Sequence, residues 1–313
     1  MSTSFRRWAT ELRAQAAART GEVPQWQRIL AGPGLALGPR QVPEPGHVAV
    51  PVPASVTEPL LTRVPAAFHT GVGDVLLAGL AAALGHWHRT GGSVLIDLER
   101  HGREPLAPDM DLSRTVGWFT AIHPVRLDVG GLRHADIRDG GEDAGRLVKR
   151  VKEQLRAVPA DGLGYGILRY LGPGADDPFA GLPVPEIAFN YFGRAGADRG
   201  AGAGSWQPAG ETAFGGGTDP AMTATHLLEA GGLVHDLPDG PVLTLTLNGH
   251  LPEADLTALA GHWAAAIAGI VAHTVDAGGG GHTPSDFALV DLGQDQIDDL
   301  QATLAEEWLS DHS

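Results

Sequence analysis

Residues 95–104 read LIDLERHGRE, an apolar run that ends in a dense polar cluster. Glu99, Arg100, His101, Arg103 and Glu104 can carry charge, and Gly102 separates them. Two acids, two bases and an imidazole at a strand end admit two readings. A solvated loop is the plain one. A reaction centre is the other, because glutamate and histidine are side chains that accept and return protons.

A site there needs elements to hold it. The segment SVLIDL, residues 93–98, reads as a buried strand directly before the cluster. Ahead of it, GDVLLAGLAAALGHWH, residues 73–88, spaces Val75, Leu76, Leu80, Leu84 and Trp87 as a strongly apolar helix. Residues 4–18 predict a helix capped by Ser4, with Phe5, Trp8 and Leu12 on one face. Residues 31–54, rich in Gly and Pro, read as an extended connector. Residues 144–157 predict an amphipathic helix through Leu147, Val148, Val151 and Leu155. Val184–Phe189 reads as a strand, and 194–217 as a mobile low-complexity loop. Leu243, Leu245 and Leu247 alternate along 242–247, and Leu233–Asp236 can pair with that strand across the turn PDG. Residues 254–276 carry Leu256, Leu259, Trp263, Ile267, Ile270 and Val271 on one side of a helix, and a last helix spans 295–309. Alternating helices and strands predict an α/β (α+β) class in one domain or one lobe.

Composition narrows the function. Hydrophobic residues make up 43 % of the 313, enough for a sizeable core. The formal charge of -15 with no basic block argues against nucleic acid or an anionic membrane as partner. With no cysteine, disulfides and thiolate metal sites are excluded, and an intracellular setting is the easier reading. The N-terminus lacks the apolar core of a signal peptide, and no apolar run reaches the roughly 18 residues of a membrane span. A soluble, cytoplasmic protein is therefore expected.

Several tempting signals are discounted. GAGAG at 200–204 and GGGG at 278–281 do not follow a strand and open a helix, and GxxxxGK[ST] is absent. His86 and His88 flank Trp87, but side chains two apart on a helix do not face each other, and there is no HExxH. No metal site is expected.

Six stretches then fall into a known order: GDVLLAGLAAAL (73–84), LERHGRE (98–104), SRTVGWFTAIHPVRL (113–127), VPADGLGYGILRYL (158–171), FNYFGR (189–194) and TPSDFALV (283–290). Together they resemble the epimerization domain of nonribosomal peptide synthetases, a branch of the condensation-domain superfamily, from about residue 3 to 300. The resemblance implies a chloramphenicol-acetyltransferase-like lobe, a mixed β-sheet packed by helices, facing a second such lobe across a tunnel. It implies that a peptidyl carrier protein delivers an aminoacyl or peptidyl thioester on phosphopantetheine, and that the α-carbon is inverted. No cofactor is implied on this chain itself. Glu99 matches the first Glu of the family's EGHGRE motif, a catalytic acid/base, and Tyr191 matches the Tyr of FNYLG. His101, Arg103, Asn190, Trp118 and Thr120 are expected to line or support the tunnel. Plainer roles stand beside these: Arg103 and Glu104 as loop-holding ion pairs, His101 as structural, Tyr191 as a buried aromatic, Trp118 as core, and Gly162, Gly164 and Gly166 as tight-turn residues.

The departures matter as much. HHxxxDG, which carries the family's other catalytic histidine, does not occur. TSFRRWATELRAQA resembles the segment that follows it, so 1–60 reads as a linker helix and extended connector, and 61–313 as the C-terminal lobe. An N-terminal condensation-type lobe in trans, or a homo-oligomer, would complete the tunnel, and the lobe face is then expected to carry a large apolar patch. Two alternatives remain: a non-catalytic scaffold or carrier-docking module, and a stand-alone enzyme using Glu99 and Tyr191. Arg100 replaces the motif's first glycine and would lower the pKa of Glu99 if the side chains met. His123 takes the position of the Tyr in FTxxYP. Arg146, Arg150 and Arg156 read either as a landing site for an acidic carrier or as a solvated helix face.

Overall fold

The computed structural model describes residues 2–89, 92–159, 162–172, 177–195, 225–276, 279–287, 289–290, 292–300 and 303. In chain order the elements are α1 (Phe5–Ala14), α2 (Val23–Ala31), β1 (Gly46–Val52), α3 (Ala54–Phe68), α4 (Val72–His88), β2 (Ser93–Arg100), β3 (Ala121–Asp128), α5 (His134–Arg138), α6 (Glu142–Arg156), α7 (Leu163–Leu171), β4 (Ile187–Ala195), β5 (Leu228–Leu237), β6 (Gly240–Gly249) and α8 (Glu253–Asp276). The strands form one mixed sheet in the order β1-β6-β5-β4-β2-β3. The β2–β4 and β4–β5 pairs are parallel and the rest antiparallel. The expected class, a mixed sheet packed by helices, holds.

The main core lies between one face of this sheet and the layer of α3, α4, α6 and α8. Leu243, Leu245 and Leu247 of β6 are fully buried there, as their alternation predicts. The β5–β6 hairpin forms as expected, with Leu233 opposite Thr244 and Asp236 opposite Pro241. Helix α4 is apolar on every side because every side is covered: Val75 through Gly85 are all buried. At Gly79 an added Cβ would sit 3.1 Å from Ile267, so the missing side chain lets α4 and α8 approach closely. The one polar atom of Trp263 is satisfied, its Nε1 donating to the Leu76 carbonyl at 2.9 Å. By length and composition α8 is apolar enough to cross a membrane, but here Leu256, Leu259, Trp263 and Ile267 are fully buried in the core.

A second, smaller layer covers part of the opposite sheet face. Trp26 and Leu30 of α2 and Tyr165 and Leu168 of α7 pack there with Leu95 and Phe179. Beside it Trp8, Met110, Leu112 and Phe119 form a cluster that ties α1 to the loop before β3.

Local boundaries depart from the sequence reading at several points. The first helix is capped by Ser4, whose Oγ accepts from the Arg7 N–H at 3.2 Å, but it ends at Ala14. The segment read as an extended connector contains β1, paired with β6, and runs straight into α3. Pro59 and Pro65 lie inside α3 and mask its helical pattern in the sequence. The strand expected at 184–189 is shifted to Ile187–Ala195, and that expected at 93–98 runs on to Arg100. Of the last predicted helix, residues 294–300 are helical, and most of the remainder lies outside the described residues. The loop read at 194–217 also lies outside them beyond Ala195. On α6, Arg146 pairs with Glu142 and Asp143, and Arg150 donates to the Gly130 carbonyl, so both have local partners.

Charged side chains are also held inside, Lys152 and Asp143 among them. Lys152, 1 % exposed, donates to the Phe68 carbonyl at 2.9 Å and to both carboxylate oxygens of Asp286 at 2.7 and 2.6 Å. Burial alone would raise the Asp286 pKa, but Lys152 and the Thr283 N–H outweigh it and hold the carboxyl below its ordinary 3.8. Lys152→Ala removes the buried cation from the Phe68 carbonyl and from Asp286, which keeps its Thr283 contacts, and is expected to cost about 3 kcal/mol in urea unfolding. Because the folded pKa of Asp286 is depressed, its contribution is present above pH 3.8 and is lost as pH falls through the lower folded value. The variant should lose the part of that acid sensitivity that Lys152 supplies.

Candidate active site

Strand β2 has two faces by simple alternation. Val94, Ile96 and Leu98 point into the main core, while Leu95, Asp97 and Glu99 point to the other side. Leu98 is opposite Phe189 in the parallel β2–β4 register, so Glu99 and Asn190 are the next residues on adjacent strands. The Asn190 side chain hydrogen-bonds the half-buried Glu99 carboxylate. Across β3, Glu99 is paired with Ile122.

Glu99 and Asn190 line a cavity of about 320 Å³ with Asp97, Ile122, Phe192, His226 and Glu229 among its walls. A more apolar cavity of about 570 Å³ adjoins it, sharing Asp97, Ile122, Thr225 and His226 and lined further by Thr120, Tyr165 and Tyr170. Together they make a groove across the sheet face. Exposed apolar side chains, Ile122, Tyr170, Val184 and Phe192, stand along it.

The electrostatics favour a basic carboxylate. Burial pushes the Glu99 pKa above its ordinary 4.5, Asn190 opposes this, and the nearby Glu229 charge reinforces it. Arg100 does not intervene. It is the next residue on the strand, and alternation turns it to the opposite face, where it is exposed. The expectation that Arg100 would weaken Glu99 as a base is therefore overturned.

A second acid–imidazole pair lies in the same groove. His226 Nε2 and Asp97 Oδ2 are 2.9 Å apart, both side chains nearly buried. Asp97 lies on β2 and His226 just before β5, with β4 between those two strands. The sequence reading missed His226 and Glu229. An acid inside the apolar run LIDL was the available signal for Asp97; its partner lies 129 residues away and had none.

The other expected site residues separate. Tyr191 follows Asn190 and points behind the sheet, packing on Gly73 at the start of α4 and burying its ring beside the main core. The sheet thus keeps Tyr191 apart from Glu99. His101 is exposed, accepts from the Arg103 N–H at 3.0 Å and lies 3.9 Å from Glu104. Arg103 does hold the loop, though not by pairing with a carboxylate: it donates to the Leu112 and Thr115 carbonyls at 3.1 and 2.9 Å and lies 4.3 Å above the Phe119 ring. Trp118 is 81 % exposed, a correction to its reading as core. Phe119 takes the inward position instead, edge-on to Trp8 at 4.8 Å. Thr120 lines the apolar cavity.

Glycines fix the loop geometry. Gly162 has φ +76° and opens α7, and an added Cβ would run into the His123 ring. A Cβ at Gly164 would meet Glu22, whereas Gly166 faces open space. Gly102, in the charged cluster, has φ +63° and lies against the Phe119 carbonyl. Gly102→Ala is therefore expected to cost at least about 1–3 kcal/mol in chemical denaturation, from the left-handed backbone plus the clash.

The family model described as Condensation domain matches residues 2–205, more than half of the chain. A linear gramicidin synthase of Brevibacillus parabrevis is 36 % identical over 95 % of this chain, and surfactin synthase subunit 1 of Bacillus subtilis is 35 % identical over 79 %. The chain spans 6 % of each of those two proteins. Among solved structures, the epimerization domain from the third module of tyrocidine synthetase B superposes with a TM-score of 0.72 and 30 % identity, covering 88 % of this chain and 61 % of that domain.

Proposed function

The chain belongs to the condensation-domain family, and on that premise we propose that it is the Glu99-bearing lobe of an epimerization domain. Its substrate is an aminoacyl or peptidyl thioester carried on the phosphopantetheine arm of a peptidyl carrier protein. Its likeness to an epimerization domain supports this branch over others of the family. The observation that carries the reading is the Glu99 carboxylate, half-buried at the groove, tethered by Asn190 and with its pKa raised.

A thioester acidifies its α-proton, and a positioned carboxylate of raised pKa is suited to remove it. Glu99 takes the proton from Cα, and the electron pair of that C–H bond becomes the enolate of the thioester. An acid on the opposite face returns a proton to Cα, inverting the centre, and Glu99 gives up its own proton to reset. The opposite acid is expected from a lobe bearing HHxxxDG, in the same polypeptide or in another. The apolar side chains exposed along the groove suit a face that such a lobe covers. In this reading Asn190 orients Glu99, His226–Asp97 braces the groove floor, and Tyr191 serves packing behind the sheet.

The test is α-proton exchange in heavy water on a carrier-bound aminoacyl thioester, read by mass spectrometry and chiral analysis with an HHxxxDG lobe supplied. Exchange is expected, and Glu99→Gln should lower its rate at least about 100-fold. Peptide-bond formation without exchange would instead assign the lobe to condensation. The acidic limb of the rate profile should lie above pH 4.5, since Glu99 must be ionised to act and its pKa is raised. Asn190→Ala removes a contact that lowers that pKa, so the limb should move further up. Glu229→Gln removes a charge that raises it, so the limb should move down.

A further inference from the structure

Three histidines distant in sequence meet on the helical layer. His86 lies in the last turn of α4, His134 opens α5 and His262 lies on α8. One ring nitrogen from each lies within 4.8 Å of the other two. The His86 and His134 rings are stacked at 4.1 Å, and His262 stands edge-on at 4.6 and 5.2 Å. Both ring nitrogens of His134 are buried, and neither has a hydrogen-bond partner among the described residues. A buried imidazole with two orphaned nitrogens costs stability unless something else satisfies them.

We propose that His86, His134 and His262 form a binding site for one divalent transition-metal ion of the zinc, cobalt or nickel class. The donor set defines that class. Imidazole suits these metals, while calcium and magnesium require oxygen ligands that this set lacks. Three protein ligands leave one coordination position for water or a further ligand. Tetrahedral coordination at about 2.0–2.1 Å brings ligand nitrogens to roughly 3.4 Å from each other, so the stacked His86 and His134 rings must draw closer and turn out of parallel to aim at one ion.

The site is open to solvent. The cavity of about 300 Å³ beside the triad is lined by Gly85, Arg89 and Gly131 as well as His86 and His134, and His86 is exposed, so an ion has a route in. Arg138, whose charge acts on His134, is paired with Asp139 at 2.8 Å. The sequence offers no motif for this site, because α4, α5 and α8 supply one ligand each. It lies at the opposite end of α4 from Gly73, which packs on Tyr191, and so away from Glu99. The ion would clip three helices together and takes no part in the proposed chemistry, on which this inference does not rest.

The test uses untagged protein stripped with EDTA and dialysed, titrated with Zn²⁺ by calorimetry and with Co²⁺ by visible absorption. One equivalent should bind, and saturating Zn²⁺ should raise Tm by about 5 °C or more. His134→Ala and His262→Gln should each weaken Zn²⁺ binding at least about 10-fold and reduce the Tm rise at the same Zn²⁺ concentration, whereas His47→Ala, at the far edge strand, should leave both unchanged. Circular dichroism checks each fold, and His262→Gln stands alone if His134→Ala does not fold. No saturable equivalent, or binding unaltered in a folded triad variant, overturns the proposal.

Discussion

The pleat of β2 against β4 is the constraint from which the candidate site follows. Each strand sends successive side chains to opposite faces, and parallel pairing fixes which residues of the two strands are neighbours. Ile96, Leu98 and Phe189 must go to the core because the helical layer covers that face. Asp97, Glu99 and Asn190 must then go to the other. A one-residue slip would bury two carboxylates in the main core, so the apolar packing on one face specifies the polar constellation on the other.

That division of labour extends through the molecule. The face under α3, α4, α6 and α8 is filled by large aliphatic side chains and by α4, which is covered on all sides. The opposite face is only partly covered, by α2 and α7, and the uncovered part is the groove. Rigid parts surround it. Arg103 is fixed by two carbonyls and an aromatic face, and Phe119, Trp8 and Phe5 lock the preceding loop to α1. The charged cluster after β2 is thus mostly a scaffold. One of its members, Glu99, is turned into the groove, Arg103 holds the turn that ends the strand, and Arg100 and His101 are exposed.

Partial burial gives Glu99 its chemical character. A fully exposed glutamate is a weak base with an ordinary pKa, and a fully buried one is costly to ionise. Glu99 lies between these, raised by desolvation and by Glu229 and restrained by Asn190. A lobe closing over the groove would remove more water and strengthen each of these interactions. Elsewhere the same rule governs Lys152, whose charge is tolerated in the core because Asp286 and the Phe68 carbonyl satisfy it.

Elements whose pattern is local are legible in the amino-acid order. The apolar helix before β2, the β5–β6 hairpin, the amphipathic α6 and the long α8 follow from spacing alone, and the order of the motifs suffices to indicate the family. Glu99 is placed at a strand end in the same way, because an abrupt change from apolar to charged residues is visible in a short window. Whatever depends on distant strands and helices emerges with the folded chain. Folding puts Asn190 on Glu99 and turns Tyr191 and Arg100 away, since facing depends on strand limits that pattern leaves two residues short. It exposes Trp118 because Phe119 fills the space beside Trp8. It joins His226 to Asp97, and His86 to His134 and His262, through contacts that no local spacing encodes: each side chain's partner is set by the register of a sheet or the packing of three helices, not by its neighbours in the chain.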